Sequence, residues 1–273
     1  MKRAISLLLI VLMLAGCARH QKSIQDFSAS RTAEAQIGEA IHRQIIQSMS
    51  VYQEKELNEY IQSIGEKLAM QADRKDLIYR FVILEDERIY SIYSPGGYVY
   101  ITIGFFKFLQ SEIELAGILA HEISMLQYKD PRLSKFKKAF ELLLQTGSQI
   151  GPAFGTIGAL SVLGLALVGH FALDEKTLTQ RIEEADEQAL RYLVESGYDP
   201  QGLIDPLMRM NDPHSEFRAY LYDYLQSHPI TPERLKALDQ VFQKLPLENK
   251  KFDVYREIYL TKTEIVRNAQ PRK

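Results

Sequence analysis

His121 and Glu122 are the neighbouring residues of this chain best suited to chemistry, and they lie in the apolar stretch ELAGILAHEISMLQYKD at 114–130. In the pattern H-E-x-x-H, two histidines one helical turn apart bind the same zinc ion, and the glutamate acts as general base on the metal-bound water. Four residues after His121, the place of the second histidine is taken by Met125. The stretch therefore carries the first half of a zinc-binding pattern without its second ligand.

The elements that must position this pair are mostly helical. Apolar residues at helical spacing predict two helices between 32 and 70, and 107–129 predicts a helix that is apolar on nearly every face and therefore central. The segment 79–87 predicts one strand, and 89–106 predicts two more, joined through Pro95-Gly96-Gly97. Helical patterns return after 177. We therefore expect a helix-dominated α+β fold with a small antiparallel sheet and a central helix that carries His121.

The composition limits the classes of protein to which this chain can belong. The chain has 273 residues, of which 46% are hydrophobic and 25% charged, with a formal net charge of −2. This length and apolar content suit one globular domain with a sizeable core. No concentrated basic surface is indicated, so we expect no nucleic-acid partner.

The N-terminus has the features of a secretory signal. A basic start is followed by an apolar run that is too short to span a membrane, and then by Leu14-Ala15-Gly16-Cys17. This ending resembles the lipobox of bacterial lipoproteins, in which the cysteine is lipidated. We expect a signal peptide at 1–16, lipidation of Cys17 and a polar tether at 17–30. Ala18 in place of aspartate favours the periplasmic face of the outer membrane over the inner membrane.

The longest apolar run, 150–173, is long enough to cross a bilayer but is broken by Pro152 and five glycines. The favoured interpretation is a buried or surface-lying helical hairpin. The alternative is a segment that contacts membrane or closes over a cleft.

Three blocks resemble a known family: SPGGYVYITIGFFKFLQSEIELAGILAHEI at 94–123, EEADEQALRYLVESGYDP at 183–200 and SHPITPERLKAL at 227–238. They resemble, in the same order, the HtpX-like metallopeptidases related to the CAAX prenyl proteases (metallopeptidase family forty-eight), and the periplasmic lipoprotein members most closely. The resemblance implies a zincin-like metallopeptidase domain over 31–250, followed by a C-terminal tail at 251–273.

Carried across by position, the resemblance makes His121 the first zinc ligand and Glu122 the general base. Asp186 matches an orienting aspartate, and His228, before Pro229, matches a histidine near the metal. The second ligand position falls on Met125. The third ligand, a glutamate in the family, falls on Ile182.

The resemblance also implies a substrate cleft. A stretch that usually reads Asn-Ala-x-Ala is here Tyr90-Ser91-Ile92-Tyr93, so tyrosines stand where small residues would let a peptide approach. GGYVYITI resembles the edge strand on which family members align an extended polypeptide, and the candidate binding residues in it are Gly96, Gly97, Tyr98, Val99 and Tyr100.

The replaced ligands leave the metal in question. Isoleucine cannot bind zinc, and the thioether of Met125 suits copper(I) better. Glu183 could substitute only after a rearrangement, because neighbours on a helix point about 100° apart. His170 or His228 could also complete a site. Without metal, Glu122 would pair with His121 or with an arginine such as Arg181, or become protonated by burial.

Two main hypotheses follow. The first is a pseudo-peptidase, a lipid-anchored periplasmic protein that binds or escorts unfolded or envelope polypeptides and needs no cofactor. The alternative is an active zinc metalloendopeptidase of envelope protein quality control with a non-standard ligand set. Two further alternatives are a soft-metal site at His121 and Met125 and a purely structural envelope protein.

Overall fold

The computed structural model describes residues 34–128, 175–248 and 250–269. The predicted signal peptide, Cys17, the tether, the apolar segment 150–173 and His170 lie outside these residues. The described elements follow one another along the chain in this order: α1 (34–48), α2 (Lys55–Ala69), β1 (Arg80–Leu84), β2 (Ser91–Ser94), β3 (Tyr98–Thr102), α3 (Ile103–Phe108), α4 (Glu112–Met125), α5 (Glu175–Glu195), α6 (Gln201–Met210), a 3-10 turn (Arg218–Tyr220), α7 (Tyr222–Ser227), α8 (Pro232–Phe242) and α9 (Arg256–Arg267). The helix-dominated α+β class is confirmed.

The sheet is mixed rather than antiparallel. Its order is β1-β3-β2, with β2 and β3 antiparallel but β1 and β3 parallel, from Arg80 opposite Tyr98 to Leu84 opposite Thr102. The β2–β3 hairpin sets the antiparallel pair. Because the hairpin inserts β3 rather than β2 next to β1, the second pairing is parallel.

The prediction that GGYVYITI forms an edge strand is wrong. β3 lies between β1 and β2, and all five of its residues are buried. The sequence of a strand that is covered on both faces and paired on both sides is a continuous apolar run. Among the described strands, β2 is the one at the edge beside α4.

The β2–β3 turn depends on two glycines. Gly96 and Gly97 have φ angles of 81° and 92°, in the left-handed region that side chains disfavour. A Cβ on Gly97 would also collide with the backbone at Ile78, just before β1. The predicted turn at Pro95-Gly96-Gly97 is therefore confirmed, and it also brings the hairpin against β1.

Helix α4 is the centre of the fold, as the sequence predicts. Every residue from Glu112 to Met125 is buried. The helix packs against α2, α5, α6 and the sheet. Its backbone closely approaches that of α6, where Gly117 and Gly202 leave no room for a side chain between the two helices.

The last helix lies beyond the domain predicted to end at 250. Residues 256–267 form α9, which packs against α2 and α3 instead of extending away as a tail. The ring of Tyr259 is fully buried and its hydroxyl donates a hydrogen bond to the carbonyl of Phe106 at 2.8 Å. Arg267 donates to the same carbonyl and to that of Leu109. The apolar face of α9 is what fixes it to the domain.

Within 34–128, 175–248 and 250–269, no helix combines the length and apolar character needed to cross a bilayer.

Candidate functional site

The site lies where α4 and α5 run side by side in opposite directions. His121 of α4 meets Asp186 of α5, and one turn further along α4, Met125 shares an apolar cluster with Ile182. His121 and Glu122 are completely buried. The spacing i, i+4 on both helices puts a polar pair and an apolar pair next to each other.

The polar half begins with a buried chain of charged groups. Nδ1 of His121 lies 2.8 Å from Oδ1 of Asp186. Asp186 in turn accepts two hydrogen bonds from Arg234 of α8, from Nε at 2.7 Å and from Nη2 at 3.0 Å. The aspartate therefore lies beside the imidazole, where the resemblance implies an orienting role, while Arg234 compensates its charge.

Arg234 also fixes the turn that contains His228. Its Nη1 donates to the carbonyls of Pro229, at 3.1 Å, and of His228, at 3.4 Å. Sequence reasoning missed this residue. The available signal was its position on α8, four residues before Leu238, because both residues lie on the buried face of that helix.

Glu122 is held by side chains from two other segments. Its Oε1 accepts a hydrogen bond from the hydroxyl of Ser91 at 2.6 Å and lies 3.3 Å from Nε2 of His228. The ring centroids of His121 and His228 are 5.2 Å apart. The structure thus brings together all four predicted polar residues, His121, Glu122, Asp186 and His228.

The predicted partners of Glu122 need correction. Ser91 and His228 make the close contacts, and neither Arg181 nor His121 makes one. The guanidinium of Arg181 lies instead 5.9 Å from the ring centre of Tyr128. Arg181 lies on a different face of α5 from Asp186. Its guanidinium therefore does not reach the carboxylate of Glu122.

Both buried carboxylates favour the charged form. Burial alone raises the pKa of Glu122, but His228, His121 and Ser91 outweigh it and lower the pKa to about 2. Burial likewise raises the pKa of Asp186, and Arg234 and His121 lower it to about 2. Glu122 is therefore not protonated by burial.

The apolar half contains the two residues at which the resemblance places zinc ligands. Met125 and Ile182 are 1% and 2% exposed and pack with Leu178 and Ala185. Tyr93 of β2 and Tyr128 pack against this cluster. Met125 here acts as a space-filling core residue.

Only one of the two tyrosines expected in the cleft faces it. Tyr93 packs on the Met125 cluster, whereas Tyr90 belongs to the cluster on the opposite face of the sheet. The hydroxyl of Tyr90 donates to Asp86 at 3.0 Å.

The predicted substrate residues in β3 also lie elsewhere. Tyr98 and Tyr100 face α1, where Tyr98 stacks on His42 with ring centroids 4.5 Å apart. Val99 belongs to the main core, and Gly96 backs onto α1. Tyr98 and Tyr100 therefore lie on the opposite face of the sheet from Tyr93 and the Met125 cluster.

Two buried atoms mark where a metal and its water would bind in the implied zinc site. Nε2 of His121 and Oε2 of Glu122 have no hydrogen-bond partner among the described residues. The donor set does not match, however. Of the three ligand positions only His121 offers a ligand, while Glu183 is half-buried beside the inward-facing Ile182. In the described ranges, no three histidine, cysteine, aspartate or glutamate side chains are arranged to hold a metal ion. These residues therefore do not fit a catalytic zinc.

The chain is similar to known peptidases over more than half of its length. Residues 55–241 match the family described as Peptidase family M48. The chain is 25% identical over 206 residues to the beta-barrel assembly-enhancing protease of Escherichia coli K12. It is 25% identical over 210 residues to the protein of the same name from Yersinia pestis. Both alignments cover 74% of this chain and 42% of the relative, so the chain spans about two-fifths of the length of these relatives. The family match covers more than half of the 273 residues and includes the whole polar cluster, and the chain therefore belongs to peptidase family M48.

Proposed function

We propose that this protein is a pseudo-peptidase of the bacterial envelope, which binds extended polypeptides beside the former metal site and does not cleave them. The observation that carries the proposal is the buried contact of Met125 with Ile182. Both residues stand where the family resemblance places zinc ligands. Apolar packing has replaced coordination there.

The electrostatics of the site support a metal-free state. A catalytic zinc would supply positive charge next to Glu122 and polarise its water. Here the carboxylate of Glu122 is held by Ser91 and His228, and that of Asp186 is neutralised by Arg234. Each buried charge therefore has a protein partner, as burial requires.

The edge strand β2 is the candidate binding surface. The N–H of Thr102 donates to the carbonyl of Tyr90 at 3.3 Å. Hydrogen-bonded and non-hydrogen-bonded pairs alternate along antiparallel strands, so Ser91, which is opposite Ile101, directs its backbone N–H and C=O away from β3. An extended polypeptide can add to such an edge through main-chain hydrogen bonds without any metal.

The relatives suggest which polypeptides bind. Their names refer to β-barrel assembly. We therefore take unfolded β-barrel proteins of the outer membrane as the partners. Lipidation of Cys17 would hold the protein at the periplasmic face of that membrane, where these polypeptides arrive.

A second candidate function is an active zinc metalloendopeptidase with a non-standard ligand set. The observation that favours it is the pair of buried atoms, Nε2 of His121 and Oε2 of Glu122, that have no hydrogen-bond partner among the described residues. In this alternative, Glu122 is the general base and a ligand outside the described ranges, such as His170, completes the site.

Metal content separates the two candidates. The full chain, incubated with zinc and freed of excess metal, should retain close to zero zinc per protein by mass spectrometry. The double variant Met125→His with Ile182→Glu should retain close to one. The control is Met125→Leu with Ile182→Leu, which keeps the apolar contact and should bind none. Near-stoichiometric zinc in the unmodified chain would contradict the proposal.

Binding and cleavage of a polypeptide test the rest. A labelled outer-membrane β-barrel protein, unfolded in urea and diluted into buffer with the full chain, should bind and stay intact. Cleavage that is stopped by a chelator and lost in Glu122→Gln would establish the peptidase instead. Tight binding of copper(I), lost in Met125→Leu, would favour the soft-metal alternative, and failure to bind any polypeptide would favour a purely structural role.

A further inference from the structure

Ser91 joins the edge strand to the polar cluster. Its side chain is buried, and its hydroxyl donates to Oε1 of Glu122 at 2.6 Å. The two residues are 31 positions apart in the sequence and belong to β2 and α4. The hydrogen bond is therefore a tertiary contact between the edge strand of the described sheet and the central helix.

We propose that Ser91 is a positioning residue, whose hydrogen bond to Glu122 holds the β2 edge against α4 in the register at which a polypeptide pairs with it. The inference rests on the proposed function, since it assigns a role within that binding surface. Where the family resemblance places alanine, this chain has a hydroxyl that takes one of the carboxylate's hydrogen-bonding positions.

The strength of this contact follows from its surroundings. Glu122 is completely buried, and a hydroxyl that donates to a carboxylate at a distance of 2.6 Å makes one of the stronger hydrogen bonds in proteins. The low-dielectric interior strengthens it further. The carboxylate itself is fixed because His228 approaches the same oxygen, so Ser91 is bound to a rigid acceptor.

Strand β2 is a short element at the side of the described sheet. It is four residues long and is paired on one side only within the described part of the chain. Short, singly paired strands open more readily than central ones. Ser91 also directs its backbone N–H and C=O away from β3, so its side-chain anchor fixes main-chain groups that a polypeptide would use.

Ser94 provides a matched control. It is in the same strand and is equally buried, with 2% of its surface exposed compared with 4% for Ser91. Because side chains alternate along a strand, a residue three positions away points to the opposite face of the sheet. Ser94→Ala therefore removes an equivalent hydroxyl without touching Glu122.

The test compares Ser91→Ala, Ser91→Thr and Ser94→Ala in the full chain. Amide hydrogen exchange over 91–94 reports the anchoring of the strand, and the Kd for a urea-unfolded, labelled outer-membrane β-barrel protein reports the register. A lost hydrogen bond to a buried charged group corresponds to roughly 10-fold faster exchange and weaker binding. We expect these changes in Ser91→Ala, whereas Ser91→Thr and Ser94→Ala should stay within about 2-fold of the wild type.

The outcomes separate this inference from the proposed function. Equal exchange and equal Kd in Ser91→Ala and Ser94→Ala would overturn the role of Ser91 even if the protein binds polypeptide. If neither the wild type nor any variant binds the polypeptide, the proposed function fails. The hydrogen-exchange data still decide whether Ser91 anchors the strand. Should Ser91→Ala not fold, Ser91→Cys, which has a similar shape and a weak donor, takes its place in both measurements.

Discussion

At the scale of single residues, Arg234 carries much of the site's electrostatics. Its guanidinium contacts Asp186 and the carbonyls of His228 and Pro229, and so connects the two histidines of the site through one side chain. The planar fork of arginine suits this bidentate role, which lysine cannot reproduce. A buried arginine with this set of partners is a structural support of the site whether or not the protein hydrolyses peptides.

Arg234→Ala should therefore destabilise the protein strongly. The change leaves Asp186 charged and buried without its main partner, which costs about 3–5 kcal/mol. The control is Arg191→Ala, which removes an exposed ion pair with Asp73 and should cost about 0–1 kcal/mol. Urea unfolding of both variants measures the difference. Similar values for the two would contradict the structural role of Arg234.

Low pH should weaken the ion pair between Asp186 and Arg234. The folded pKa of Asp186, about 2, is below the value of about 3.9 that aspartate has in unfolded chains. A lowered folded pKa stabilises the protein above pH ~4, and this contribution, roughly 2 kcal/mol, is lost as the pH falls towards 2. The carboxyl carbon of Asp186, followed by NMR, should titrate well below pH 3.9. A midpoint at or above that value would contradict the prediction.

At the scale of elements, the position of the site depends on how closely α4 packs. The helix carries His121 and Glu122 in its second half, while its first half touches α6 through Gly117. A Cβ on Gly117 would overlap the backbone carbonyl of Gly202. Because backbone cannot move aside as a flexible side chain does, this contact fixes the distance between the two helices.

Gly117→Ala should separate α4 from α6 and cost about 1–3 kcal/mol, as overpacking in a core does. Gly197→Ala is the comparison, because no atom lies within 4 Å of its Cβ position. At that position only the positive φ of 75° opposes alanine, at about 1–2 kcal/mol. The two variants should differ in the NMR chemical shifts of His121, which should move only in Gly117→Ala. Unchanged shifts in both would show that the α4–α6 contact does not position the site.

At the scale of the whole molecule, the packed unit is larger than the family match. The match ends at 241, whereas α9 adds residues 256–267 to the core, and α1 covers the far face of the sheet. Tyr259 fills the interface of α9 with α3 and bonds to a backbone carbonyl there. The C-terminal helix therefore belongs to the same cooperative structure as the site.

Tyr259→Ala should cost about 3–5 kcal/mol, because it leaves a large cavity and removes the hydrogen bond from the tyrosine hydroxyl to the carbonyl of Phe106. Its neighbour Ile258 is 50% exposed, so Ile258→Ala should change the free energy of unfolding by about 0.5 kcal/mol or less. Thermal or urea unfolding measures both. If Tyr259→Ala were as mild as Ile258→Ala, α9 would be an appendage rather than part of the core.

The sequence by itself determined most of the elements, although the segment 103–108, predicted as strand up to 106, forms helix α3 and α4 begins only at Glu112. Apolar periodicity placed His121 and Glu122 on a central helix, and two glycines marked the hairpin turn. The family resemblance implies zinc ligands at the positions of Met125 and Ile182, and the structure shows both residues in one apolar cluster. These features are local, because a helix, a turn or a motif is encoded by residues a few positions apart.

Only the tertiary structure decided how these elements meet. The parallel pairing of β1 with β3, the edge position of β2 and the docking of α9 do not follow from any local pattern. The residues that contact one another in the site are also far apart in the sequence. Ser91 and Glu122 are 31 positions apart, and Arg234 and Asp186 are 48 positions apart. The physical reason is that periodicity tells which face of an element is buried, whereas the partner of a buried polar group depends on which other element packs against that face.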